Sequence, residues 1–187
     1  MRDIITLLED KSKEDYIEIV PLSYSDGDLA PVLSKESMKF HYGKLAKGYA
    51  DKFNHGIGDP EFQYAGYFLH NIFFTQFRAP RRNNIPNGPI ANLIKAKYKT
   101  FTHFKDHVLD QALQLQGSGW IYLSRDGSIK TIHNHEVRPN IIILLDLWEH
   151  SFQMDYGEYK EKYIENIWKI INWNVINTRY MEPYGKK

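Results

Sequence analysis

The stretch Ile141 to Phe152, IIILLDLWEHSF, constrains this chain more than any other. Five apolar residues, three of them β-branched, follow closely on Pro139 and end at an aspartate, a pattern that suits a short buried strand better than a helix. Asp146 then stands at the strand's end, and His150 follows four positions on, so a turn into helix can bring a carboxylate and an imidazole to one point. A buried carboxylate without a partner loses its hydration, so a cation or a good donor must meet it there. The plainer alternative is an aspartate that caps the next helix, and the local sequence leaves both open.

A chain of 187 residues, 42% hydrophobic and 14% aromatic, has enough apolar material for one large core or two layers sharing one. The 24 basic and 23 acidic residues nearly cancel, which argues against a dedicated nucleic-acid or anionic-membrane surface and favours a small charged partner. With no cysteine, disulfides, thiolate metal sites and a cysteine nucleophile are excluded. No apolar run reaches the length of a membrane span, and the first residues lack a signal-peptide core, so the cytoplasm is the expected compartment.

In chain order, residues 1–15 read as a leader with no assigned chemistry, and an extended segment punctuated by Pro21 and Pro31 follows from Tyr16. Ser34 is a plausible N-cap for a long helix to Asn54, which places His41 and Leu45 on one face. A second helix, Glu61 to Phe77, is apolar nearly all round and carries His70 in its middle, as a central helix would. The turn-rich stretch Arg78 to Pro89 divides an N-terminal helical hairpin (residues 16–80) from a C-terminal unit (residues 88–180). Helices are expected over Ile90–Lys97 and Thr102–Leu115, the second with Phe104, Val108, Leu109 and Leu113 at helical spacing. Strands flank the Asp126-Gly127 turn and, with Ile141 onward, give a three-stranded antiparallel sheet; helices over Glu158–Ile171 and Trp173–Tyr180 close an α+β chain.

These pieces resemble the iron and manganese superoxide dismutases. The resemblance is carried by FHYGK (Phe40 to Lys44), the central-helix His70, GSGW (Gly117 to Trp120), DLWEH (Asp146 to His150) and the tail IENIWKIINWNVINTRY (Ile164 to Tyr180), and it spans roughly Tyr16 to Tyr180. It implies a helical hairpin packed on a C-terminal α/β layer with a three-stranded antiparallel sheet. It also implies one iron or manganese ion per subunit, superoxide as substrate, and a homodimer.

Position by position, His41, His70, Asp146 and His150 match the family's metal ligands, and three imidazoles with one carboxylate suit iron or manganese. Zinc would bind the same set but cannot change oxidation state. The family's hydrogen-bond donor to metal-bound solvent is a Gln at one of two places; here the helix place is Gly66, which has no side chain, and the sheet place falls on His135. Some relatives use His there, mainly iron or metal-tolerant ones, so the resemblance favours iron or either metal. Tyr49 matches the gateway tyrosine that helps deliver protons. Trp120, Tyr122 and Trp148 match the aromatics that wall the pocket and Phe74 replaces another family Trp; Lys44, and Lys160 where the family commonly has Arg, are the nominated cations that attract superoxide, and Glu149 matches the residue that reaches the partner's metal-binding histidine.

Three departures stand out. Leu45 and Gln153 occupy places where the family has His and Tyr bonded across the interface, and their joint replacement reads as a consistent redesign. Only 29 positions separate His41 from His70, which implies a shortened hairpin and a dimer in preference to a tetramer. Two other readings stay open on the sequence: a catalytically silent member of the same fold, and a non-haem iron oxygenase or hydrolase, whose sites usually leave more open positions.

Overall fold

The computed structural model describes residues 16–182, so the leader at 1–15 lies outside the described residues. Ser34 begins the first helix as expected, its Oγ accepting from the Ser37 N–H at 3.0 Å. The expected continuous helix is instead three pieces: α1 (Lys35–Phe40), a π-helical turn (His41–Ala46) and α2 (Lys47–Asn54). That wide turn starts at His41, and it alters the spacing that would stack Leu45 directly on His41. Helix α3 (Pro60–Thr75) is capped by Asp59, whose side chain accepts from the Glu61 N–H, and it runs back along α2 as the second arm of the hairpin.

Helices α4 (Gly88–Tyr98) and α5 (Phe101–Gln114) lead into the sheet, made of β1 (Gly119–Ser124), β2 (Ile129–His133) and β3 (Ile141–Asp146) in the order β2-β1-β3, antiparallel throughout. Gly127 adopts φ +80°, a left-handed conformation that glycine accepts without strain, and its N–H closes the hairpin on the Ser124 carbonyl at 2.8 Å. Every residue of β1 and β3 is buried. Helix α3 packs on β3 and α5 on β1, so the run IIILL needs no polar alternation. Phe104 and Val108 of α5 are buried as expected, but Leu113 is 44% exposed, because the inward stripe of α5 passes through Phe104, Val108 and Ala112.

After β3 come a single 3-10 turn (Glu149–Ser151), α6 (Gln153–Tyr156), α7 (Lys160–Ile167) and α8 (Trp173–Met181). The helix expected over Glu158–Ile171 is shorter and ends in a 3-10 turn (Trp168–Ile170), because Ile171 forms an antiparallel bridge with Phe77 and Asn172 caps α8. No helix among the described residues is long and apolar enough to cross a membrane.

Candidate metal centre

Four side chains from four elements meet in the core. His41 comes from the π-helical turn, His70 from the middle of α3, Asp146 from the end of β3 and His150 from the 3-10 turn that follows. One donor atom of each lies within 4.8 Å of the others. From Asp146 Oδ2 the distances are 3.1 Å to His41 Nε2, 3.5 Å to His150 Nε2 and 3.8 Å to His70 Nε2. Each of these four atoms is buried and without a hydrogen-bond partner among the described residues. An unsatisfied buried polar atom costs about 1–3 kcal/mol, so four of them pointing at one place call for a cation that binds them all.

Neighbouring groups fix which atoms are free. His70 Nδ1 lies 2.6 Å from the Gly66 carbonyl and therefore carries the proton, which leaves the Nε2 lone pair inward. Asp146 Oδ1 accepts from the Trp148 N–H at 2.8 Å, which leaves Oδ2. Burial holds the His41 imidazole below its ordinary range, and burial together with nearby His41 takes His70 well below. For Asp146 burial alone would raise the carboxyl, but adjacent His150 and His41 outweigh it and hold it below the usual carboxylate range. Burial thus favours neutral rings at His41 and His70 beside one anionic oxygen, and with His150 they make a hard and borderline donor set that fits iron or manganese.

Beside this set sits a directed chain of hydrogen bonds. The Trp120 indole N–H can only donate, and it does so to His135 Nδ1 at 3.2 Å. Nε2 of the neutral ring is therefore protonated, and it donates to the Tyr49 hydroxyl oxygen at 2.8 Å. Burial lowers His135 to about 4, so the ring is neutral at pH 7. Tyr49 is pushed up to about 12, by burial first and by the Asp146 charge second, so its phenol keeps its hydrogen.

Three of the aromatics singled out in the sequence pack against these imidazoles. Trp148 stacks on His135 at 4.7 Å between centroids, Trp120 meets His70 edge-on at 5.0 Å, and Phe74 meets His41 at 4.8 Å. Tyr122 is buried two residues beyond Trp120 in β1. Lys44 is exposed, its ammonium 5.9 Å from the Phe40 ring centroid, and Lys160 opens α7, partly buried. Glu149 is exposed beside His150.

Sequence reasoning missed Phe62, whose ring lies 4.7 Å from His135. The signal was present. Phe62, Gly66, His70 and Phe74 recur every four residues on α3, and this one stripe faces His135 through Phe62, Tyr49 through Gly66, and His41 through His70 and Phe74.

Residues 86–179 match the family model described as iron/manganese superoxide dismutases, C-terminal domain. The superoxide dismutase [Mn/Fe] of Porphyromonas gingivalis is 32% identical over 189 aligned positions, which cover 87% of this chain and 98% of that protein. The superoxide dismutase [Fe] of Bordetella pertussis is 29% identical over 178 positions, covering 82% and 93%. That of Pyrobaculum aerophilum is 28% identical over 188, covering 85% and 89%.

Proposed function

Since this chain belongs to the iron/manganese superoxide dismutases, we propose that His41, His70, Asp146 and His150 hold its redox ion and that Tyr49, positioned by His135, delivers protons. The activity itself follows from the family: two superoxide anions and two protons become dioxygen and hydrogen peroxide. When bound, the iron or manganese ion supplies the electron exchange, taking an electron from one superoxide and returning it to another. The single observation that carries the ligand assignment is the convergence of four buried, unpaired donor atoms.

The protein's own share of the chemistry is proton handling and exclusion of water. Because His135 donates to the Tyr49 oxygen, the phenol hydrogen is directed elsewhere, and it has no acceptor among the described residues. It is available to an oxygen anion arriving beside His70, whose ring is 5.1 Å from that of Tyr49. Trp120, Trp148, Phe62 and Phe74 keep bulk water from the imidazoles and hold their orientation. Lys44 and Lys160 are the cations we assign to attracting superoxide from solution.

We favour iron, or use of either metal, because the sheet position carries His135 and Gly66 offers no donor; the relative from P. gingivalis bears both metals in its name. A homodimer is part of the same reading. Glu149, His150, Gln153, Met154, Phe40, Ser118 and Trp148 line an open depression of about 660 Å³. His150 turns its Nε2 toward Asp146 at 3.5 Å, and we assign its other ring nitrogen to Glu149 of a second copy. Leu45 and Gln153 would then belong to a redesigned contact. We also treat residues 16–80 and 88–180 as the two units that meet at the ion. Reconstitution with each ion tests the function: dismutation is expected with iron, with or without activity for manganese, and none with zinc. Activity confined to manganese would contradict the metal preference read from His135.

A further inference from the structure

We propose that Gln76 is a positioning residue for the metal centre, its side-chain amide locking the strand that carries Asp146 to the helix that carries His70. Gln76 follows the last residue of α3 and is fully buried. Its Oε1 accepts from the Leu144 N–H at 3.1 Å, and its Nε2 donates to the Leu144 carbonyl. One side chain therefore pairs both backbone groups of one strand residue, as a residue of a neighbouring strand would.

The place where this happens matters. β3 is a sheet edge, and Leu147 just beyond it bonds inward to the Gly119 carbonyl at 2.9 Å. By the alternation of an antiparallel ladder, residues 142, 144 and 146 turn their backbone groups outward. The Ile142 carbonyl accepts from Arg179, and the Asp146 carbonyl accepts from Ser151 Oγ at 3.0 Å. Between them only Leu144 has both its N–H and its C=O engaged by a single side chain, and that is the arrangement that fixes register as well as edge. A one-residue slip of β3 would turn Asp146 to the other face of the sheet.

The other end of Gln76 is anchored too. Its carbonyl accepts from the Asn172 N–H at 2.8 Å, and His70 lies six residues earlier, roughly 9 Å along the helix axis. Asp146 lies two residues past Leu144, roughly 7 Å along the strand. Gln76 thereby sets the spacing of two ligands without touching either, and no local pattern in the sequence announces it.

This inference rests on the metal-centre reading, and the experiment separates the two. Gln76→Met keeps the length and removes both pairings; Gln76→Glu keeps an acceptor but sets a carboxylate against the Leu144 carbonyl. Phe104→Leu, a core change in α5 away from the ligands, serves as the comparison for general loss of stability. Each protein is loaded with iron or manganese, and the readouts are thermal unfolding, metal release to excess chelator, and the visible or paramagnetic-resonance spectrum of the bound ion. Both Gln76 variants are expected to release the ion about tenfold faster or more and to shift the spectrum, while Phe104→Leu lowers the unfolding temperature and leaves both unchanged. Should Gln76→Met fail to fold, Gln76→Glu decides by the same readouts. Release and spectrum in the Gln76 variants matching those of Phe104→Leu would overturn the proposal; an unsubstituted protein that takes up neither ion would instead overturn the metal centre itself.

Discussion

A Cβ placed on Gly66 would come within 2.6 Å of Cδ1 of Tyr49, closer than real side chains approach. The bare helix surface at Gly66 is therefore what lets the Tyr49 ring lie against α3 with its hydroxyl on His135. Gly66→Ala must push the ring aside, and overpacking of this kind costs about 1–3 kcal/mol. We expect a lower unfolding temperature and a fall in dismutation of about tenfold or more, with metal content unchanged, measured by calorimetry and fast-mixing kinetics. Wild-type turnover in Gly66→Ala would mean that the placement of Tyr49 is not what the reaction needs.

Trp120→Phe keeps the aromatic wall but removes the donor that fixes the His135 tautomer. The ring then becomes free to protonate either nitrogen, and the bond to Tyr49 loses its direction. Nitrogen chemical shifts of His135 should report a tautomer mixture, with turnover falling by less than the ~100-fold that complete loss of a general acid brings. His135→Gln, which can still donate to Tyr49, should retain turnover and move the metal preference toward manganese.

Much of this was legible in the chain. The run ending in Asp146, the two histidines on helices and the Asp126-Gly127 turn are local patterns, and each is where its residues place it. What was not legible depends on partners remote in sequence. The π-helical turn at His41 is set by what its side chains must meet, not by the propensities of HYGKLA. Leu113 fits the apolar spacing of α5 but falls off the stripe that the sheet covers. Gln76 reads as an ordinary polar residue after a helix until the edge of β3 is laid beside it, 68 positions later.

Glu149 is exposed next to His150 and makes no ion pair among the described residues. If it serves a second copy, Glu149→Ala should convert a dimer into a monomer at micromolar concentration in sedimentation, and should weaken metal retention about 10–100-fold by freeing the imidazole. A monomeric wild-type protein at the same concentration would remove the dimer from this account.

Tyr156 gives a pH dependence unrelated to the ion. Its hydroxyl donates to the Val32 carbonyl at 2.7 Å, and burial, aided by the Asp155 charge, pushes it up to about 12. A folded-state value above the unfolded one means that its contribution is intact below about pH 10 and is lost as pH rises toward about 12. Tyr156→Phe should therefore be less stable than wild type at neutral pH by about 1 kcal/mol, and the gap should narrow through that alkaline window, as read from urea unfolding at several pH values.

The most direct measurement is an anomalous diffraction map of the iron- or manganese-loaded protein, collected on either side of the metal's absorption edge. One peak per chain is expected, within bonding distance of Nε2 of His41, His70 and His150 and of Oδ2 of Asp146. A peak elsewhere, or one that leaves any of those four atoms out of reach, would contradict the account.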